Sequence, residues 1–108
     1  MKNIFKNDAF KKARGGYSRL LEISCASCDT LICTYQKDGP GILKRMYIDR
    51  IVSSPMYSNI QKTLIKDLPQ CVCPHCGEVL GVPMIYKKED RPAYRLFVGC
   101  VKKKIVKA

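Results

Sequence analysis

Seven cysteines lie in this chain of 108 residues, and four fall into two pairs of one spacing: Cys25-Ala26-Ser27-Cys28 and Cys73-Pro74-His75-Cys76. A tight turn across Cys-x-x-Cys lets both sulfurs point at one ion while the amides of the turn hydrogen-bond them. Two such pairs supply four thiolates, and four thiolates in a tetrahedron make a structural zinc site. Tetrahedral sulfur suits iron as well. Asp29 and Gly77 follow the two pairs, and both residue types tolerate a positive φ at that place in the turn. A site closed by four cysteines has no open position for a substrate, so the expected role of the metal is to hold the fold.

The other thiols read differently. Cys71-Val72-Cys73 puts a third sulfur within reach of the second pair. Cys73 and Cys76 reproduce the spacing of the first pair, which leaves Cys71 as a spare thiol or a small core residue. Cys33 and Cys100 sit in apolar alternating stretches, where a free cysteine behaves as a small buried hydrophobe. His75, the one histidine, lies inside the second pair at a position that faces solvent. It could stand in for a cysteine as a ligand, but its neighbours already bind, so a structural or idle role is expected.

Length makes this a single domain. A chain of this size buries only about two-thirds of its unfolded surface, so a metal staple is useful to it. Hydrophobic residues are 46% of the chain and there is no Trp; the core must be aliphatic, with some Tyr and Phe. The basic start, Met1 to Gly16, has no continuous apolar run and does not read as a secretory signal. No stretch approaches membrane-spanning length. A cytoplasmic setting is expected, with thiols reduced or metal-bound, and the odd cysteine count argues against a closed disulfide framework.

Two units position the cysteines: a basic N-terminal arm, residues 1–16, and a single zinc-binding β domain, residues 17–108. In the arm, a short helix is expected from Asp8 to Arg14, stopped by Gly15-Gly16 and too short to hold unless docked. Tyr17 to Ser24 reads as a strand running into Cys25, with Tyr17, Leu21 and Ile23 on one side and Leu20 on the other. Thr30 to Gln36 alternates again, with Leu31, Cys33 and Tyr35 opposed to Thr30, Ile32 and Thr34. The first pair therefore sits at a hairpin tip. After a turn at Lys37–Gly41, Ile42 to Val52 reads as one longer strand, although Lys44, Arg45, Asp49 and Arg50 do not fall cleanly on one side. Ser53 to Asn59 is a loop, and Ile60 to Leu68 fits a short helix ended by Pro69. Val82 to Tyr86 reads as a strand that Pro83 places at an edge. Lys87 to Arg91 is a charged turn, and Tyr94 to Val101 the last clear strand, which Lys102 to Lys107 either extends or follows as a basic tail.

Net charge is +11, from 20 Lys and Arg against 9 Asp and Glu. Such an excess favours polyanions, nucleic acid before anionic membrane. Residues 20–101 carry an excess of only two; the two ends hold the other nine. Candidate phosphate contacts are Lys2, Lys6, Lys11, Lys12, Arg14 and Arg19 at one end and Lys102, Lys103, Lys104 and Lys107 at the other. Phe5, Phe10 and Tyr17 are interleaved and could stack on bases. A merely solvated basic surface is the competing reading. The arm's apolar face is too poorly defined for membrane binding to be favoured.

The spacer of 44 residues between the two pairs exceeds that of a compact zinc ribbon. With Cys73-Pro-His-Cys-Gly-Glu-Val-Leu-Gly81, Tyr86 and the strand after Tyr94, the chain resembles the beta-tent group, over about residues 17–106. That group includes Yippee-like proteins, the cereblon ligand-binding domain and methionine sulfoxide reductase B. The resemblance implies a mostly β domain of two antiparallel sheets pinned together by zinc at the knuckle end. It leaves function open, because the group spans enzymes and binding modules. The reductase carries its catalytic cysteine in the last strands, beside an Asn and among Trp and His residues. Cys100 occupies a late strand here, but there is no Asn beside it, no Trp and no second His. The cereblon-type cage needs tryptophans and is likewise missing. The expected function is a non-enzymatic binding module for nucleic acid or a ribonucleoprotein. The alternatives are a protein-interaction adaptor of Yippee-like type and a thiol reductase using Cys100.

Overall fold

The structure is a computed structural model that describes residue 6, residues 8–54 and residues 68–106. Lys2, Phe5 and Lys107, and the helix expected at Ile60 to Leu68 apart from its last residue, lie outside them. Helix α1 (Ala9–Ala13) opens on Asp8, whose Oδ1 accepts the amides of Phe10 and Lys11, both at 3.1 Å. This is an N-cap satisfying donors that a helix start leaves orphaned. The helix stops as expected at Gly15-Gly16. Gly15 takes φ +104, its amide reaches Lys12 O, and the amide of Gly16 reaches Lys11 O, the paired bonds of a Schellman ending.

Eight strands follow: β1 (Ser18–Cys25), β2 (Leu31–Asp38), β3 (Arg45–Tyr47), β4 (Ile51–Ser53), β5 (Cys71–Val72), β6 (Val79–Tyr86), β7 (Arg91–Leu96) and β8 (Val101–Val106). They form two antiparallel four-stranded sheets, ordered β4-β2-β1-β8 and β3-β7-β6-β5. Among the described residues no helix is long and apolar enough to cross a membrane.

The inner faces carry the core. Leu21 opposes Tyr35 and Ile23 opposes Cys33 in the first sheet, and Met46 opposes Tyr94 in the second; all six are at most 2% exposed. Contacts also cross between the sheets: the Cys33 thiol reaches Met46 Sδ at 3.4 Å, and the Tyr47 amide donates to the Tyr35 hydroxyl at 2.8 Å. Ile32, expected on the face opposite Cys33, is buried with it. The register slips between Ile23 and Ser24, leaving Ile32 without a cross-strand partner. A bulge of this kind breaks the two-residue alternation and turns two successive side chains inward.

Two expected strands are each cut where the chain changes sheet. Ile42 to Val52 is not continuous: β3 pairs with β7, a 3-10 turn at Ile48–Arg50 intervenes, and β4 pairs with β2. The ill-placed charges marked that break, because Arg50 turns inward there to an ion pair. Tyr94 to Val101 is likewise two strands, β7 and β8, separated by a turn in which Gly99 has φ +78 and the Cys100 amide reaches Phe97 O. Lys102 to Val106 extends β8 along β1. Pro83 opposes Tyr94, and the other neighbour of its strand, β5, reaches only as far as Gly81. Its missing N–H therefore interrupts no ladder.

The N-terminal helix is fastened to the sheets by arginines. Arg50 pairs with Asp8 at 2.6 Å and Asp38 at 2.7 Å. Arg91 pairs with Asp49 and Glu89 and lies between two rings, 4.1 Å from the centroid of Phe10 and 3.8 Å from that of Tyr47. Arg14 forks onto Glu89 with two bonds of 2.8 Å. Gln36 exchanges hydrogen bonds with the backbone of Lys6. Five residues cannot hold a helix in water, and these contacts supply the docking it needs.

Candidate metal centre

The first cysteine pair joins β1 to β2 and the second joins β5 to β6, so each knuckle belongs to a different sheet. Their backbones repeat one pattern. The Asp29 amide donates to Cys25 O at 2.8 Å and the Gly77 amide to Cys73 O at 3.0 Å. The Cys25 amide donates to Thr30 O and the Cys73 amide to Glu78 O, both at 2.9 Å. Asp29 has φ +63 and Gly77 φ +79, as the sequence required.

Facing each other, the knuckles bring Cys25, Cys28, Cys73 and Cys76 together with all four sulfurs within 4.8 Å. Cys25 Sγ is 3.6 Å from Cys76 Sγ, and Cys28 Sγ is 3.4 Å from Cys73 Sγ. A tetrahedral ion with metal–sulfur bonds of about 2.3 Å has sulfur–sulfur edges of about 3.8 Å. The four thiols therefore fit a metal, and as ligands they would leave it no free coordination position. Cys25 and Cys73 are buried, Cys28 is partly covered and Cys76 is exposed; the site caps one end of the core at the surface.

The electrostatics favour a thiolate at Cys73 and oppose a second at Cys76. Burial raises the Cys73 thiol, but the amides of Cys76 and His75 and the thiols of Cys28 and Cys76 outweigh it and bring it down to about 6. The Glu78 amide favours the thiolate of Cys76, yet burial and the hydrogen bonds shared with the other three thiols push it up to about 12. A cluster holding one thiolate easily and resisting the next exchanges its remaining protons for a cation. Thr30 was not singled out from sequence, yet its hydroxyl lies 3.1 Å from Cys28 Sγ. Its signal was its place two residues after the pair.

Cys71 stands outside the cluster. It is fully buried in β5 and opposes Gly81. Cys33 is buried too; burial and then the nearby Cys71 push its thiol up to about 12, which makes it a poor ligand or nucleophile. His75 is exposed and not among the clustered ligands. Cys100 is half-buried beside the first knuckle, where its carbonyl accepts the Ala26 amide. Among the described residues no side chain hydrogen-bonds its sulfur.

The basic residues divide. Arg14 is committed to Glu89 and Tyr47, and Lys102 is paired with Asp29. Lys6, Lys12 and Arg19 are exposed and Lys11 partly so. Lys103 and Lys104 are exposed on β8, an edge strand, and make no ion pair among the described residues. Arg19 stands directly opposite Lys37 across β1 and β2. Lys37 is held below its ordinary value by burial and by the fields of Lys103, Arg14 and Arg19, against the pull of Asp38. Lys37 did not stand out in the sequence, and neither did the docking role of Arg14, Arg50 and Arg91. Comparison with family models, with curated proteins and with solved structures finds no match.

Proposed function

We propose that this chain is a zinc-stapled, non-enzymatic binding module of beta-tent type that grips nucleic acid through the cationic surface beside β8. Zinc is the metal chosen because paired Cys-x-x-Cys knuckles closing a four-sulfur tetrahedron are its commonest structural site. One observation carries the nucleic-acid reading: Arg19 and Lys37 oppose each other directly, with Lys103 close enough to disfavour the charge on Lys37. Like charges in register cost stability, and a phosphate backbone offsets that cost wherever it lies across them. Such contacts position a polyanion without reading its bases. The paired Arg14 and Lys102 leave Arg19 and Lys103, on the face that Lys37 shares, as the principal contacts, with Lys104 on the other face of β8 opposite Glu22.

The test is titration of a labelled RNA and a DNA duplex with the zinc-loaded protein across a salt series. Binding at low salt that weakens as salt rises is expected. No binding at low salt, or binding that salt leaves unchanged, contradicts the reading and brings the protein-adaptor alternative forward. Reductase activity is not expected, since a thiolate without a positioned acid cannot protonate the leaving oxygen.

A further inference from the structure

A groove of about 710 Å³ opens between β8, the turn that precedes it, and the segment leading into β3. Apolar side chains dominate its wall, among them Leu43, Met84, Leu96, Phe97 and Val101. Phe97 keeps 44% of its surface exposed. Four cations share the lining, Lys44, Arg45, Arg95 and Lys103, and no acidic residue joins them. None of the four makes an ion pair among the described residues. Arg45 and Arg95 oppose each other directly across β3 and β7, with the Arg45 guanidinium laid over the Tyr86 ring, 4.1 Å from its centroid.

We infer that this groove takes a segment of single-stranded nucleic acid, with a base against Phe97 and the flanking phosphates on Lys44, Arg45, Arg95 and Lys103. The inference rests on the nucleic-acid reading above and adds to it a strand preference and a second set of residues. An apolar wall offers nothing to a phosphate but accepts the face of any base, and stacking on an aromatic ring beside arginines is the usual chemistry of single-strand sites. Arg45 is steadied by the Tyr47 hydroxyl, 3.2 Å from its Nε, and by the Tyr86 ring, but its repulsion with Arg95 in register is relieved when an anion lies between them. A duplex keeps its bases stacked inside and cannot place one in the groove, whereas a single strand can.

The experiment uses the full zinc-loaded chain, a labelled oligouridine and a duplex of matched length, with binding read by fluorescence anisotropy. The single strand is expected to bind more tightly than the duplex. Phe97→Ala is expected to weaken the single strand about tenfold while duplex affinity and metal content stay unchanged. Arg95→Ala, at an exposed position, is expected to weaken the single strand and reduce its salt dependence. Equal affinity for both probes, or a single strand indifferent to Phe97→Ala, overturns the groove site and leaves the general nucleic-acid reading standing. Failure of both probes to bind at low salt overturns both. Binding to anionic phospholipid vesicles that Phe97→Ala abolishes, with oligouridine unaffected, overturns the groove site in favour of a membrane surface.

Discussion

Arg50 Nη2 lies 2.6 Å from Asp8 Oδ1, across 42 positions of sequence. Asp8 thereby does two things with one oxygen: it caps α1 and ties that helix to an arginine whose side chain is only 1% exposed. The other partner of Arg50, Asp38, is buried and is held in turn by Ser18 and Gln36. The two ends of this bridge should therefore differ in cost. Asp8→Ala removes a cap and a partly exposed partner, and is expected to lose about 1–2 kcal/mol. Arg50→Ala leaves the Asp38 carboxylate buried without its guanidinium, and is expected to lose about 3–5 kcal/mol. Equilibrium denaturation by urea measures both; equal losses would contradict the assignment of Arg50 as the hub.

Acid should release the same helix. The hydrogen bond from Arg50 is the largest influence on Asp8 and, with the Lys11 and Phe10 amides, holds its carboxyl at about 2, below its ordinary 3.8, against the opposing effect of burial. Glu89 is lowered in the same direction by Arg14 first, and by Arg91. A depressed carboxyl contributes stability that is full above its unfolded value and disappears as pH falls through its folded value. The share of stability that Asp8 and Glu89 carry is therefore expected to be full above about pH 5 and to disappear from about pH 4 toward pH 2, separately from the loss of metal as the cysteine thiolates take up protons. Asp8→Asn should flatten that fall. The check is the difference in denaturation midpoint between wild type and Asp8→Asn through an acid series; a difference independent of pH over this range would contradict it.

The fold was largely legible in the sequence because its alternation is clean where one face is buried. Leu21, Ile23, Cys33 and Tyr35 lie on the core face as their spacing requires. The cysteine spacing led to the cluster because Cys-x-x-Cys fixes its own local geometry. The break at Ile48–Arg50 showed only as charges that fitted neither face, and the one at Phe97–Cys100 was hidden because the stretch stays apolar enough to read as strand. What cuts them is tertiary: an arginine turning inward, and a chain crossing from one sheet to the other. The sharing of cations between helix docking and open surface could not be read either. Arg14 and Arg19 look alike in sequence, yet only Arg14 meets a glutamate.

Gly81 is fixed by close backbone approach. A Cβ built there would lie 2.6 Å from Arg95 O and 3.3 Å from Leu96 Cα, so β6 could not keep its distance from β7. Gly81→Ala is expected to cost at least about 1–3 kcal/mol, in the range of a strained backbone. Gly77→Ala meets nothing within 4 Å and carries only the strain of φ +79; it should cost less, about 1 kcal/mol. Thermal melts of the two variants distinguish them, and a greater loss at Gly77 would contradict this ordering.

The cationic edge should show itself in salt. If about five phosphates are neutralised, log affinity falls against log salt with a slope of roughly −3.5 on single strands and −4.5 on duplex DNA. Lys103 and Lys104 are free of ion pairs among the described residues, whereas Lys102 is held by Asp29. Replacing Lys103 and Lys104 by Ala should flatten the slope by about 1–2, and Lys102→Ala should change it less. Equal effects at the three lysines would show that the Asp29 pairing does not survive in solution.

The central claim is that one metal ion on Cys25, Cys28, Cys73 and Cys76 joins the two sheets. Apparent binding energies of roughly 10–16 kcal/mol in small zinc domains are enough to decide whether such a chain folds. The most direct measurement is metal content per chain, by mass spectrometry of the elements, on protein purified without added metal. Wild type, Cys71→Ser and Cys100→Ser are expected to carry one zinc each, while Cys73→Ser is expected to lose the metal or fail to fold. Folded wild-type protein with no stoichiometric metal, or a Cys71→Ser variant that loses its zinc while Cys73→Ser keeps it, would contradict the account.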